Sequence, residues 1–289
     1  YVQQCAVWHK RLDCRRAACR YHDSGGYGTK SRIRRKPDGM ILFFCDLDNT
    51  LIYSYKHEIG SNKRCVELYQ GREISFMTEQ TYRLLCGIKE SVSIVPTTTR
   101  TVEQYQRIDL GIGALRYVLA CNGGILLQNG TEDGAWYRQS LALAEPARES
   151  LALGRTLMER DKNRCFEARS IRDLFLFTKS RNPLESMAYY KECLDMKQVD
   201  VYANGIKLYI LPKALNKGAA LLRLKNQLGA DAAAAAGDSV FDISMLNQAD
   251  VAAAPKELQG EGGMCGHVQC MPGKRMFSEE MLRYVSERI

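Results

Sequence analysis

No uninterrupted apolar run in the 289 residues is long enough to cross a bilayer, so a membrane-spanning helix is not expected. Nothing at the start reads as a charged, then greasy, then small-residue leader, and the cytoplasm is the expected location. The eleven cysteines lack a tight framework, and several, such as Cys45 and Cys121, fall inside apolar runs where the thiol behaves as a small hydrophobe. That argues against a disulfide-stapled scaffold and for reduced thiols. No internal repeat is present, and the one low-complexity patch is Ala232 to Ala236. What remains is ordinary globular material, 45% apolar and 26% charged, in a chain long enough for a catalytic domain and a smaller second one.

The net charge of +8 is uneven. Residues 1–39 hold ten Lys or Arg against three Asp, which leaves only +1 for residues 40–289. This basic extension closes on "RRKPDG", a charge run followed by a turn signal. Its Lys and Arg could grip nucleic acid or another acidic partner, although Tyr1, Trp8, Tyr21 and Tyr27 form no obvious stacking platform. Cys5, His9, Cys14, Cys19 and His22 are dense enough to suggest zinc, but their spacing matches no standard finger, and a scatter of thiols in a basic tail explains them as well. The chain opens on Tyr, which suggests a piece of a longer protein.

From Met40 the pattern is that of an α/β fold, a doubly wound parallel sheet. "MILFFC" is apolar throughout, as a strand covered on both faces should be, and "VSIVP", "YVLAC", "AAAAAG" and "VAAA" repeat the theme. Thr78 to Lys89 reads as a crossover helix, and "RCVELYQGREISFM" as a hairpin turning at Gln70 and Gly71. The middle of the chain differs. "RQSLALAEPARESLALGRTLMERD" and "PLESMAYYKECLDMK" read as helices, "IRDLFLFTKS" as a strand, and "VDVYANGIKLYIL" as two strands about Asn-Gly. These observations place a core at residues 40–129 and 206–289, with an inserted α+β domain at 130–205.

In an open α/β sheet, ligands bind outside the carboxyl ends of the strands. Asp46 and Asp48 follow the first strand, Thr97, Thr98, Thr99 and Arg100 follow the second, Lys217 precedes a helix, and Asp238 and Asp242 follow the alanine strand. Each has a plain alternative as a turn, cap or solvated residue. Four such groups at the strand ends of one sheet are harder to explain that way.

"DLDNT", "TTTR", "NKG" and "GDSVFD" resemble, in order, the four motifs of the haloacid dehalogenase superfamily of phosphohydrolases. The insertion between the second and third is similar to the branch with Cof-like and sucrose-phosphatase-like enzymes, whose mobile α/β cap covers the site. "NGG" at Asn122 to Gly124 resembles that branch's lead into the cap. Thr99 departs from the glycine common there, and alanines replace the usual branched residues of the fourth strand. The likeness covers Met40 to roughly the C-terminus.

The resemblance implies a phosphatase acting on a small phosphorylated metabolite, a sugar phosphate or similar, through an aspartyl-phosphate. Asp46 is then the nucleophile, ionised at neutral pH without a base, and Asp48 the acid and base. Lys217 and Thr98 hold the phosphoryl oxygens. Mg²⁺ suits Asp46, the Asp48 carbonyl and Asp238, with Asp242 behind them. Thr99, Arg100, Asn122, Gly123, Lys179 and Arg181 are candidates for touching the substrate, with surface charge the alternative for Lys179 and Arg181. A hexose phosphomutase on the same scaffold, or a binding role carried by residues 1–39, are the rival readings.

Overall fold

The computed structural model describes Ile33 and residues 39–289. The cysteine and histidine group and the basic run expected to meet zinc, nucleic acid or an acidic partner lie outside the described residues. Among the described residues no helix is long and apolar enough to cross a membrane.

The core begins with β1 (Ile41–Cys45). An antiparallel flap follows, made of β2 (Tyr53–Ser54), β3 (Lys63–Tyr69) and β4 (Arg72–Thr78) in the order β2-β4-β3. It reverses at Gln70 and Gly71, both at positive φ. Next come α1 (Glu79–Lys89), β5 (Ser93–Pro96), the short α2 (Val102–Tyr105), β6 (Tyr117–Ala120), β7 (Ile125–Gln128) and β8 (Thr131–Glu132). The insertion contains α3 (Gly134–Ala144), α4 (Arg148–Arg160), β9 (Arg169–Ile171), β10 (Phe175–Lys179), α5 (Pro183–Cys193), β11 (Val199–Asn204) and β12 (Lys207–Pro212). The core resumes with α6 (Lys217–Leu228), β13 (Ala232–Ala236), α7 (Ile243–Gln248), β14 (Val251–Pro255), β15 (Gln269–Met271) and α8 (Phe277–Ser286).

The central sheet runs β15-β14-β13-β1-β5, with every neighbouring pair parallel. Strand β1 is apolar at each position because both its faces are covered. Ile41, Phe43 and Cys45 pack with Leu85 and Ile88 of α1 and with Met281, Leu282 and Val285 of α8. Leu42 and Phe44 point the other way, towards Leu221 and Leu224 of α6 and Met245 and Leu246 of α7. Burying each such side chain contributes about 1.5–3 kcal/mol. The same packing accounts for the alanine strand. Phe43 and Phe44 of β1 lie beside Ala234 and Ala235 of β13 in register, and Ala235 and Ala236 lie beside Ala252 and Ala253 of β14. Large rings on one strand fill the volume above two strands of methyl groups, so bulk missing from β13 is supplied by β1.

Four expectations change in detail. Strand β6 does not extend the parallel sheet, but heads a separate antiparallel sheet, β6-β7-β8. On the β5 side it pairs only with the segment just after that strand, through one parallel bridge from Thr97 to Leu119; β5 ends on Pro96, which has no amide hydrogen to continue a ladder. The long helical reading of the insertion is two helices parted by a 3₁₀ turn, Glu145–Ala147, at Pro146. "IRDLFLFTKS" is the end of β9 and the whole of β10, reversed through Arg172 and Asp173 at φ 52 and 53. The core does not resume at 206, because β12 is the partner of both β10 and β11 in the four-stranded sheet β11-β12-β10-β9, which therefore runs to Pro212. That sheet buries Leu176, Val201, Leu208 and Ile210 against α4 and α5. It turns Phe175, Tyr209 and Leu211 to a cluster shared with Phe241 of the core.

Candidate active site

Cys45 is in register with Ala236 on one side and Pro96 on the other, so the next residues, Asp46, Gly237 and Thr97, emerge at one rim. The ladder runs one step further, with Asp46 N donating to Ala236 O at 2.9 Å and Thr97 N to Cys45 O at 2.8 Å. Asp46 is thus fixed by backbone on both sides.

The second half of the site comes from α6 and α7. Asn216 caps α6, its side chain accepting from Ala219 N at 2.9 Å. Gly218 lets the two helices meet, since a Cβ there would lie 2.2 Å from the Ser244 carbonyl oxygen. Gly237 likewise leaves room for Asp242, whose Cβ would be 2.3 Å from any added methyl. These close approaches deliver Lys217, which is only 1% exposed, between two carboxylates. Its Nζ donates to Asp46 Oδ1 and Asp242 Oδ1, each at 2.6 Å. Asp242 Oδ2 accepts from the Ser239 amide at 3.0 Å and hydroxyl at 2.8 Å. The Thr50 hydroxyl donates to Asp238 Oδ1 at 2.9 Å. Oxygens of Asp46, Asp238 and Asp242 all lie within 4.8 Å of one another.

Three carboxylates around one ammonium leave an excess of negative charge out of water. Burial raises the Asp46 pKa well above the usual carboxylate range; Lys217 opposes this, and Asp242, Asp238 and Asp48 add to it. Asp238 is pushed up to about 6, by burial first and then by Asp242. Lys217 moves the other way from a buried lone lysine: burial would lower its pKa, but Asp242 and Asp46 raise it and keep it charged.

Asp48 does not join this cluster through its carboxylate. Arg100 forks onto it, Nε to Oδ2 and Nη2 to Oδ1, both at 2.7 Å. Burial acts to raise the Asp48 pKa, and the hydrogen bonds and charge of Arg100 outweigh it, so the group is held below its ordinary value. The third nitrogen of Arg100, Nη1, lies 2.9 Å from Glu67 Oε2. Arg100, expected to bind substrate, is therefore committed to two carboxylates of its own chain.

The remaining predicted residues fall in different places. Thr98 is buried at the rim, its hydroxyl accepting from the Arg100 amide at 3.1 Å; Thr99 is half-buried beside it. Asn122, at φ 59, donates from Nδ2 to Leu215 O at 3.1 Å. It lines a cavity of about 370 Å³ with Tyr202, Asn216, Phe241 and Ser244, a space that none of the clustered carboxylates borders. Gly123 serves packing, since a Cβ would sit 2.4 Å from Ala220 Cβ. On the cap sheet, Lys179 rests over the Phe166 ring at 4.7 Å, and Arg181 is exposed beyond the end of β10. Lys207, paired in register with Lys179, was not expected, and its charge helps lower the Asp48 pKa. Glu67 and Ser239 were also missed: one sits inside an alternating hairpin, the other beside two more obvious carboxylates, and neither carries a spacing signal.

No family model matches the sequence, and no curated protein matches it. Solved structures do. The chain is similar to the sucrose-phosphatase of Synechocystis, solved with sucrose and phosphate, at 16% identity and a TM-score of 0.58, over 86% of this chain and 98% of that one. It is also similar to a haloacid dehalogenase-like hydrolase from B. subtilis, at 15% identity and 0.51, over 86% and 99%. The fold is that of the haloacid dehalogenase-like hydrolases. A truncated Plasmodium falciparum IMP-nucleotidase has the same fold at 13% identity and 0.55, over 87% and 72%. In this haloacid dehalogenase-like fold, the insertion separates the Thr98 rim from Lys217, where the four motifs expect a cap.

Proposed function

We propose that the protein is a Mg²⁺-dependent phosphatase that hydrolyses a small phosphorylated metabolite, a sugar phosphate or similar, through a phosphorylated Asp46. The observation that carries this reading is Lys217 Nζ, 2.6 Å from both Asp46 and Asp242, with Asp238 alongside at the carboxyl end of the central strands. A binding protein has no need of a buried carboxylate whose charge is balanced by a lysine at the mouth of a crevice.

The donor set fits a hard divalent cation: three carboxylates in reach of one another, one lysine, and two of the acids, Asp46 and Asp238, pushed towards protonation by burial and then by neighbouring carboxylates. Asp46, Asp238 and the Asp48 backbone carbonyl would hold the ion, with Asp242 anchoring Lys217 behind them. Bound there, such an ion would supply positive charge that offsets the phosphate dianion and the attacking carboxylate.

The chain's own groups then divide the work. Asp46 attacks phosphorus while the bond to the leaving oxygen breaks, and Asp48 gives that oxygen a proton. Arg100 keeps Asp48 ionised in the free protein; an adjacent substrate dianion raises its proton affinity and prepares it to donate. Asp48, now a carboxylate, takes a proton from water, whose oxygen attacks phosphorus and releases Asp46. Lys217 faces the developing charge. Thr98 accepts the Arg100 amide, which leaves its O–H to donate to a phosphoryl oxygen.

The purified chain is expected to release phosphate from 4-nitrophenyl phosphate with Mg²⁺, to stop on chelation, and to recover when Mg²⁺ is returned. No release at any Mg²⁺ concentration sinks the reading.

The acid cluster adds a pH dependence. Asp238 has a folded pKa of about 6, above an unfolded value near ~3.9, so the native state holds the extra proton between them. Its stabilising contribution is complete below the unfolded value and is lost as pH rises through the folded one. Without divalent cations, thermal stability is expected to fall across that window. Mg²⁺ competes with the proton, so it should raise Tm more at about pH 7.5 than at about pH 5; an equal shift at both would show the ion binding elsewhere.

A further inference from the structure

Glu67 is the one buried carboxylate among the described residues that the mechanism above leaves unused, and it is only 1% exposed. It lies on β3, where the pairing with β4 shifts register on both sides of it, so the side chain is turned inward from an otherwise half-exposed hairpin. Its four bonds are all charged or short. Oε1 accepts from Arg107 Nε at 3.0 Å and lies 3.0 Å from Arg107 Nη2. Oε2 accepts from the Ser75 hydroxyl at 2.6 Å and lies 2.9 Å from Arg100 Nη1.

The consequence concerns Asp48. That carboxylate is half-exposed at the crevice, and the Arg100 fork is what orients it. A guanidinium is planar, so holding Nη1 fixes the plane in which Nε and Nη2 meet their partner. A carboxylate has about four lone-pair sites. The fork uses one on each oxygen of Asp48 and leaves the others for a proton. Glu67 is held by two guanidiniums, Arg100 on Oε2 and Arg107 on Oε1. Resting on the phosphatase reading, we infer that Glu67 is a positioning residue of the reaction, which aims Asp48 at the leaving oxygen by fixing Arg100 from the flap.

The test uses two aryl phosphates of similar size, 4-nitrophenyl phosphate and phenyl phosphate. The second has the poorer leaving group, so it depends more on a proton from Asp48. Glu67→Gln is expected to lower kcat/KM for phenyl phosphate at least about fivefold more than for 4-nitrophenyl phosphate. A residue that served folding alone would lower both equally. If Glu67→Gln fails to fold, Glu67→Gln with Arg107→Gln removes one charge of each sign together, and the same difference is expected. Equal losses on the two substrates, or no loss, in a folded variant overturn the inference. Failure of the phosphatase reading looks different, because the unaltered protein would then turn over neither substrate.

Discussion

Asp46→Asn is expected to lower Mg²⁺-dependent phosphate release by at least about 10³-fold while leaving the fold intact. The amide is nearly isosteric, and its oxygen still accepts from Lys217, so the bridge to Asp242 survives. What is lost is the negative charge that makes the oxygen a nucleophile towards phosphorus, and a neutral amide does not supply it. The expected stability change is small. Removing the Asp46 carboxylate takes one negative charge out of a buried, crowded cluster, and this offsets the weaker hold on Lys217. Circular dichroism and thermal denaturation check the fold, and phosphate release checks the chemistry. A variant turning over within about tenfold of the unaltered protein would remove Asp46 from the reaction. A variant that unfolds would instead show that the acid cluster is structural.

The candidate nucleophile was legible because a parallel strand buried on both faces has few ways to end in a carboxylate. "MILFFC" reads as a central strand, and the residue that follows it, Asp46, opens at the rim. Lys217 and Asp242 each stand at a helix start, Lys217 next to Gly218 and Asp242 five positions after Gly237, and both glycines allow a close approach of backbone to side chain or helix. Arg100 was misread. A guanidinium after a threonine run looks like an anion grip, but its partner Glu67 lies 33 positions earlier on an alternating hairpin, where period-2 patterning gives no sign of a buried acid. The end of the cap was misplaced for a topological reason. An Asn-Gly turn marks a hairpin, and both of its strands belong to one sheet, so a domain boundary cannot pass through it. The alanine strand is explained by Phe43 and Phe44 beside it, and compensation of volume across strands is invisible along one.

Lys217→Met is the second change with a large expected effect, and it separates charge from chemistry. Methionine fills similar volume and removes the ammonium, leaving buried Asp46 and Asp242 and half-buried Asp238 together with no cation between them. Breaking a buried ion pair from one side costs about 3–5 kcal/mol. That loss is expected at neutral pH without divalent cations, read as a shift in chemical denaturation. It should shrink as pH falls: without Lys217 the carboxylates bind protons more tightly in the folded state than in the unfolded one, so stability returns on acidification. Mg²⁺ can take the place of the missing charge, and should recover most of the stability at neutral pH. It cannot replace the contact Lys217 would make with a phosphoryl oxygen, so turnover should stay about 10²–10³-fold down even with Mg²⁺. Recovery of both by Mg²⁺ would reduce Lys217 to a counter-ion. Recovery of neither, in a variant that still folds at low pH, would mean that the three carboxylates do not form a cation site.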